Sequence, residues 1–279
     1  MYYSLGTIAR CTRLGAFTRP LIQQTRHYIR PHYYQNSSVK TAGGNPFQQL
    51  SRRLNNANQD KVLWGLIGTN VSVFLLWQYA MKSYEQFHDP SWLKFMAKNF
   101  VSSEEGLMSG RIHTLLASAI SHKSLDHLGI NMLVLYSMGQ GVIEAIGASR
   151  FLLLYGGAGI TASLVAIGYR KYIKPRLERG IGRRDNINSI GSVGASGSIM
   201  GITTFFACAF PRTKFLVFFI IPMPAIAVVG LFAAYDIYKA STLNAGIVDS
   251  AGHLGGVAYG AAYWFLRVKP LLRAGRWKV

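Results

Sequence analysis

The 279-residue chain is 50% hydrophobic and 15% charged, with a net charge of +19 and a mean hydropathy of +0.19. Soluble domains usually carry about 25% charged residues, so the composition argues against an ordinary soluble globule and for one polytopic membrane domain. The basic excess falls in the N-terminal segment and in loops between apolar runs rather than on a basic face with a readable motif, which argues against a nucleic-acid reader, and the two cysteines, Cys11 and Cys208, supply neither a disulfide framework nor a metal-ligand spacing.

The chain opens on 59 residues without Asp or Glu, among which Arg10, Arg13, Arg19, Arg26, Arg30, Lys40, Arg52 and Arg53 are basic. An Arg-rich, acid-free segment with no long apolar stretch describes a mitochondrial transit peptide rather than a secretory signal, and 1–40 are assigned to it. "TRHYIRP" resembles a matrix-peptidase site, with a cut after Tyr28. Residues 41–61 read as a polar linker. Residues 62–268 follow as the membrane domain and 269–279 as a basic C-terminal tail.

A bilayer-spanning helix needs about 20 apolar residues. Six candidates occur, at 62–81, about 126–147, about 150–170, about 196–210, about 214–239 and about 250–268, the fifth bent by Pro222 and Pro224. The loop from 82 to about 125 contains "SWLKFMAKNF" and "RIHTLLASAISHKSL", amphipathic and too short or too polar to span. It is expected to lie in the membrane interface over the site. If the spans alternate in direction, the second, fourth and sixth all start on one side. Each carries its polar residues near that start: His127 and Asn131, Ser196, and His253. Polar groups inside spans are costly and mark function by default.

Glycines surround two of these groups. The fourth span carries Gly197 and Gly201, and the sixth carries Gly252, Gly256 and Gly260, both in the GxxxG spacing that lets helix backbones approach closely in lipid. Alone, "GASGSIMG" is only a packing seam. If the two seams face each other in parallel helices, Ser196 (one before Gly197) and His253 (one after Gly252) fall on the same lateral side. A serine becomes a nucleophile when a base within hydrogen-bond reach takes its proton. His127 and Asn131, four apart, share a helix face one turn apart and can both donate to an oxyanion. Asp249, four before His253, reads as a cap or a solvated acid rather than a third member, so the reading is a Ser–His dyad.

These motifs resemble the rhomboid intramembrane serine proteases: "GASGSIMG" around Ser196, "GHLGG" around His253, and "HKSLDHLGIN", the His-x4-His-x3-Asn pattern of His122, His127 and Asn131. The likeness covers about 62–268. It implies an all-α membrane protein with a six-transmembrane-helix rhomboid bundle and an interfacial first loop. It implies Ser196 as nucleophile, His253 as general base and then acid, and an oxyanion hole from the Ser196 backbone N–H with His127 and Asn131. Gly194, Gly197, Gly252, Gly256 and His122 support the site. No metal or other cofactor is required. "TLLASAISH" and the transit peptide point to the mitochondrial, presenilin-associated rhomboid-like branch in the inner membrane. Such members are similar in clipping single-span proteins, including dynamin-like GTPases and signal-anchored proteins of the intermembrane space. Many bacterial members have a Tyr four residues after the serine, where this chain has Met200. Two other readings remain: a catalytically inactive rhomboid-like protein that binds membrane clients, and a small transporter, which would want a charge or a broken helix near the midplane.

Overall fold

Asn45 opens the first helix, α1 (Pro46–Asn56): its side chain accepts from the Gln48 N–H at 3.1 Å, and Pro46 supplies the preset φ of a first helical position. The computed structural model describes residues 45–180, 191–217, 220–242 and 247–274. The transit peptide and the Tyr28 cut therefore lie outside the described residues. Within the stretch read as a linker, 46–56 are helical, because Asn45 and Pro46 start a helix that the polar composition hid. Asn55 Oδ1 accepts from the Ser149 N–H at 2.9 Å, capping another helix across the fold.

Helix α2 (Gln59–Phe87) starts at the Asn58 cap and ends at His88 in the left-handed conformation. Three short helices follow, α3 (Ser91–Phe100), α4 (Glu104–Met108) and α5 (Thr114–Ala117), the last continued by a 3₁₀ turn over Ser118–Ile120. The α3 helix presses Met96 against Val73, Trp77 and Ala80 of α2, while Trp92 and Phe95 stay exposed. Helix α6 spans Leu125–Ile146 and α7 Ala148–Gly168, running through a π turn into α8 (Lys174–Gly180). Helix α9 is Ser196–Ala209, α10 is Ala225–Thr242 and α11 is Ile247–Tyr263, extended by a π turn and α12 (Lys269–Arg273). The core joins Leu135, Val142 and Ile146 of α6, Phe151, Leu154 and Tyr155 of α7, and Ile199, Ile202 and Phe205 of α9.

Helices cover five of the six segments read as spans and the later part of the remaining one, and the fold is mostly helical. By length and composition, Gln59–Phe87 and the continuous run Ala148–Arg179 are long and apolar enough to cross a membrane. The fifth segment needs correction. Its helix begins only at Ala225, and β1 (Lys214–Val217) pairs antiparallel with β2 (Ile221–Pro224), with Lys214 opposite Pro224. Pro222 and Pro224 lack an N–H and bias Ile221 and Met223 to extended conformations, so the prolines end a hairpin rather than bend a helix.

Candidate active site

The approach to α9 is fixed from both sides. Ser192 exchanges backbone hydrogen bonds with Ser102 (Ser102 N–H to Ser192 O 3.0 Å, Ser192 N–H to Ser102 O 2.9 Å). The Gly194 N–H then donates to Ser118 O at 3.0 Å. Gly194 has φ +137°, a region that L side chains rarely adopt. A side-chain carbon built there would lie 2.9 Å from His127 Cε1 and 3.6 Å from Ser196 Oγ, so the His127 ring and the Ser196 hydroxyl flank the empty space above this glycine. Ser196 is the first residue of α9, where backbone N–H groups have no intrahelical acceptor and the helix dipole favours negative charge.

Below Ser196, the backbones of α9 and α11 nearly touch. A side-chain carbon at Gly256 would collide with the backbone of Gly197, and one at Gly260 with that of Gly201. Helix α7 closes the third side with small residues one turn apart: a carbon at Gly197 would strike the Ala162 side chain, and one at Gly201 the Ala158 side chain. Without a hydrophobic drive between helices in lipid, such close packing is what holds them together. It carries Ser196 and His253 into the lining of one cavity, shared with Ser118, Ser163, Ser192 and Gly252. Ser118 Oγ and Ser163 Oγ lie 3.1 Å apart, and Ser163 Oγ donates to Leu115 O at 3.1 Å.

The remaining polar groups come from the loop before α6 and its first turns. Tyr155 Oη donates to Ala119 O at 2.7 Å, and the Trp77 indole N–H donates to Ser121 Oγ at 2.6 Å, so α7 and α2 both hold this loop. His122 is fully buried. Its Nε2 accepts from the Asn131 side-chain amide at 2.9 Å and from the Ala195 N–H at 3.4 Å, which puts its proton on Nδ1. Burial, then the neighbouring His127, lowers its pKa to about 4, so the ring is neutral near pH 7. His122 is therefore a fixed acceptor that links Asn131 of α6 to the residue before Ser196. Asn131 spends one of its two amide hydrogens on His122 and keeps the other. The rings of His122 and His127 meet edge to face, with centroids 5.3 Å apart.

Sequence reasoning missed one group. His253 Nδ1 lies 3.1 Å from Asp236 Oδ2 of α10. Asp236 is 5% exposed, in an inward stripe with Ala225, Val229 and Ala240. The spacing of four before His253 drew attention to Asp249 instead, whose side chain lies outside the described residues. The missed signal was helical spacing: 225, 229, 236 and 240 lie on one face of a 3.6-residue helix, three of them apolar and the fourth a carboxylate.

The Rhomboid domain profile matches residues 109–270, more than half of the chain. The chain belongs to the rhomboid family. It is 29% identical to rhomboid protein 1, mitochondrial, of Saccharomyces cerevisiae, over 91% of this chain and 76% of that protein. It is 31% identical to RHOMBOID-like protein 12, mitochondrial, of Arabidopsis thaliana, over 80% of this chain and 61% of that one. With the human presenilin-associated rhomboid-like protein, mitochondrial, identity is 26% over 77% of this chain, which spans about half the length of that relative. The rhomboid fold here gathers Ser196, His253, His127, Asn131, His122 and Gly194 at one end of the bundle, with Gly197, Gly252 and Gly256 in the seam beneath.

Proposed function

We propose that the chain is an intramembrane serine protease of the mitochondrial inner membrane, cutting single transmembrane segments of anchored proteins. The observation that carries this reading is the shared cavity: helices with touching backbones bring a hydroxyl and an imidazole to its wall, with the His127 ring beside the hydroxyl. Ser196 Oγ attacks the scissile carbonyl and passes its proton to His253 Nε2. The carbonyl oxygen takes the electron pair and is stabilised by the Ser196 N–H, His127 and the free Asn131 amide hydrogen. The intermediate collapses, the C–N bond breaks, and the imidazolium returns its proton to the leaving amine. Water then repeats the cycle on the acyl-serine and releases the acid.

In this reading α2, α6, α7, α9, α10 and α11 cross the bilayer, and 1–40 are a transit peptide ahead of the membrane domain at 62–268. The mitochondrial names of the relatives support the location. The shortness of α9, 14 residues and about 21 Å against a hydrocarbon core of about 30 Å, supports a serine recessed below the membrane surface. The test uses the full chain in proteoliposomes with a single-span reporter substrate and a fluorophosphonate serine probe. Wild type should cleave and be labelled, while Ser196→Ala and His253→Ala fall to background. Cleavage that persists in Ser196→Ala overturns the proposal. Wild-type binding of the reporter without cleavage or labelling would instead support the inactive, client-binding reading.

A further inference from the structure

We infer that Asp236 is a positioning residue that fixes the tautomer and orientation of His253, making the site a three-member set across α9, α10 and α11. The inference rests on the reading of Ser196 and His253 as nucleophile and base.

Among the described residues, Asp236 is the one carboxylate in the buried set, and it occupies a place on α10 where its neighbours in the stripe are Ala and Val. An isolated buried carboxylate is costly, so a charge in such a place needs a partner. The partner is His253 Nδ1, at 3.1 Å. An ionised carboxylate can only accept, so Nδ1–H donates to Oδ2 and Nε2 keeps its lone pair. That is the tautomer a general base needs. A histidine with its proton on Nε2 could not take one from Ser196. When the proton leaves Oγ for Nε2, the ring becomes an imidazolium with both nitrogens protonated. Asp236 stabilises that charge without taking the proton, which later goes from Nε2 to the leaving amine.

A purely structural reading is also available: the contact ties α10 to α11 as a staple. The two make opposite forecasts for an apolar replacement. Replacing a whole buried pair by packed apolar groups is often neutral or stabilising, whereas removing one partner leaves the other unpaired and costs stability, so turnover has to be read below the melting transition of the variant. A staple lost to leucine would thus leave turnover intact wherever the fold survives, whereas a lost orienter would reduce turnover in a folded protein.

The experiment measures kcat, KM, fluorophosphonate labelling rate and melting in detergent for Asp236→Asn, Asp236→Leu, Asp236→Glu, Ser196→Ala and His253→Ala. Asp236→Asn should lower kcat on the order of a hundredfold with KM little changed, short of the roughly 10⁴-fold loss in soluble Ser–His–Asp enzymes, because the helix seam still holds the histidine backbone. The labelling rate should fall in step, since it needs the same base. Asp236→Leu should lose kcat to a similar degree at temperatures well below its own melting transition, and Asp236→Glu should recover part of it. Wild-type kcat in folded Asp236→Leu, or a loss confined to KM, overturns the inference. If Ser196→Ala or His253→Ala also turns over normally, the protease reading itself falls. If they are dead while Asp236→Asn and Asp236→Leu are active, the dyad stands and only the positioning role is lost.

Discussion

Helices α9 and α10 are successive in the chain, and each brings one polar side chain to the candidate site, yet they are held in opposite ways. Of the 14 residues of α9, ten are buried, and its glycines lie against the backbone of α11. Of the 18 residues of α10, four are buried, and Leu231, Phe232, Tyr235, Ile237 and Tyr238 lie exposed on its outer face. Position in α9 is set by backbone contact, where a single methyl group has no room. Position in α10 is set by a narrow stripe, the carboxylate–imidazole contact and a hydrogen bond from Tyr169 Oη to Ala240 O at 2.6 Å, and elements with few buried contacts are the ones that open most easily. On the proposed mechanism the nucleophile would thus sit on the rigidly held helix and its positioning residue on the more lightly held one.

The largest effect that tests this contrast is Gly256→Leu. The new side chain would meet the Gly197 backbone and push α9 from α11, and a displacement of about 1 Å can cost on the order of a hundredfold in rate. Ala262→Leu, on the exposed side of the same helix, should leave turnover near wild type. Both are read as reporter cleavage beside thermal melting in detergent, and equal behaviour of the two would break the comparison. Next is Asn131→Ala. One oxyanion donor is worth about 10²–10³ in rate in soluble hydrolases. The loss here should sit at or below the lower end, because the Ser196 N–H and His127 remain; unchanged kcat in both Asn131→Ala and His127→Ala would remove the proposed oxyanion hole.

His122 tests the rigid half through pH. Its folded pKa of about 4 lies below the ordinary 6.5, so the unfolded chain binds the proton more readily. The stability it contributes is fully present above pH 6.5 and drains away as pH falls from 6.5 towards 4, on the order of 3 kcal/mol in all. His122→Gln, which keeps an acceptor for Asn131 without a titrating ring, should flatten the melting-temperature slope over that interval. An undiminished slope would place the acid sensitivity elsewhere. The smallest effect is expected on the outer face of α10. Phe232→Ala should shift stability by less than about 0.5 kcal/mol and leave kcat unchanged, and a larger change would show that this face is packed in the bilayer as tightly as α9 is in the bundle.

What could be read from the sequence followed from spacing. Glycines at intervals of four expose the seam before any coordinates, and the i, i+4 pair His127 and Asn131 announces a shared helix face. The covering by α7 was not legible, because Ala158 and Ala162 are unremarkable residues in an apolar run and become contact points only in three dimensions. Hydropathy also blurred the fifth segment, since a hairpin rich in Ile, Phe and Val scores like a membrane helix and only the two prolines mark the difference. Asp236 was hidden for the converse reason: an averaged window reads one carboxylate near a helix end as a boundary, whereas its angular position on the helix marks it as inward-facing.

The cap supplied by Asn55 to the Ser149 N–H, with Ser51 Oγ donating to Ser149 Oγ at 3.0 Å beside it, ties the first helix to the start of α7. A cut past Asn56 would strip an N-terminal cap from α7, the helix whose alanines line the third wall of the seam. The stretch from Asn45 to Asn56 is therefore no spacer: it holds the start of one wall of the seam in place.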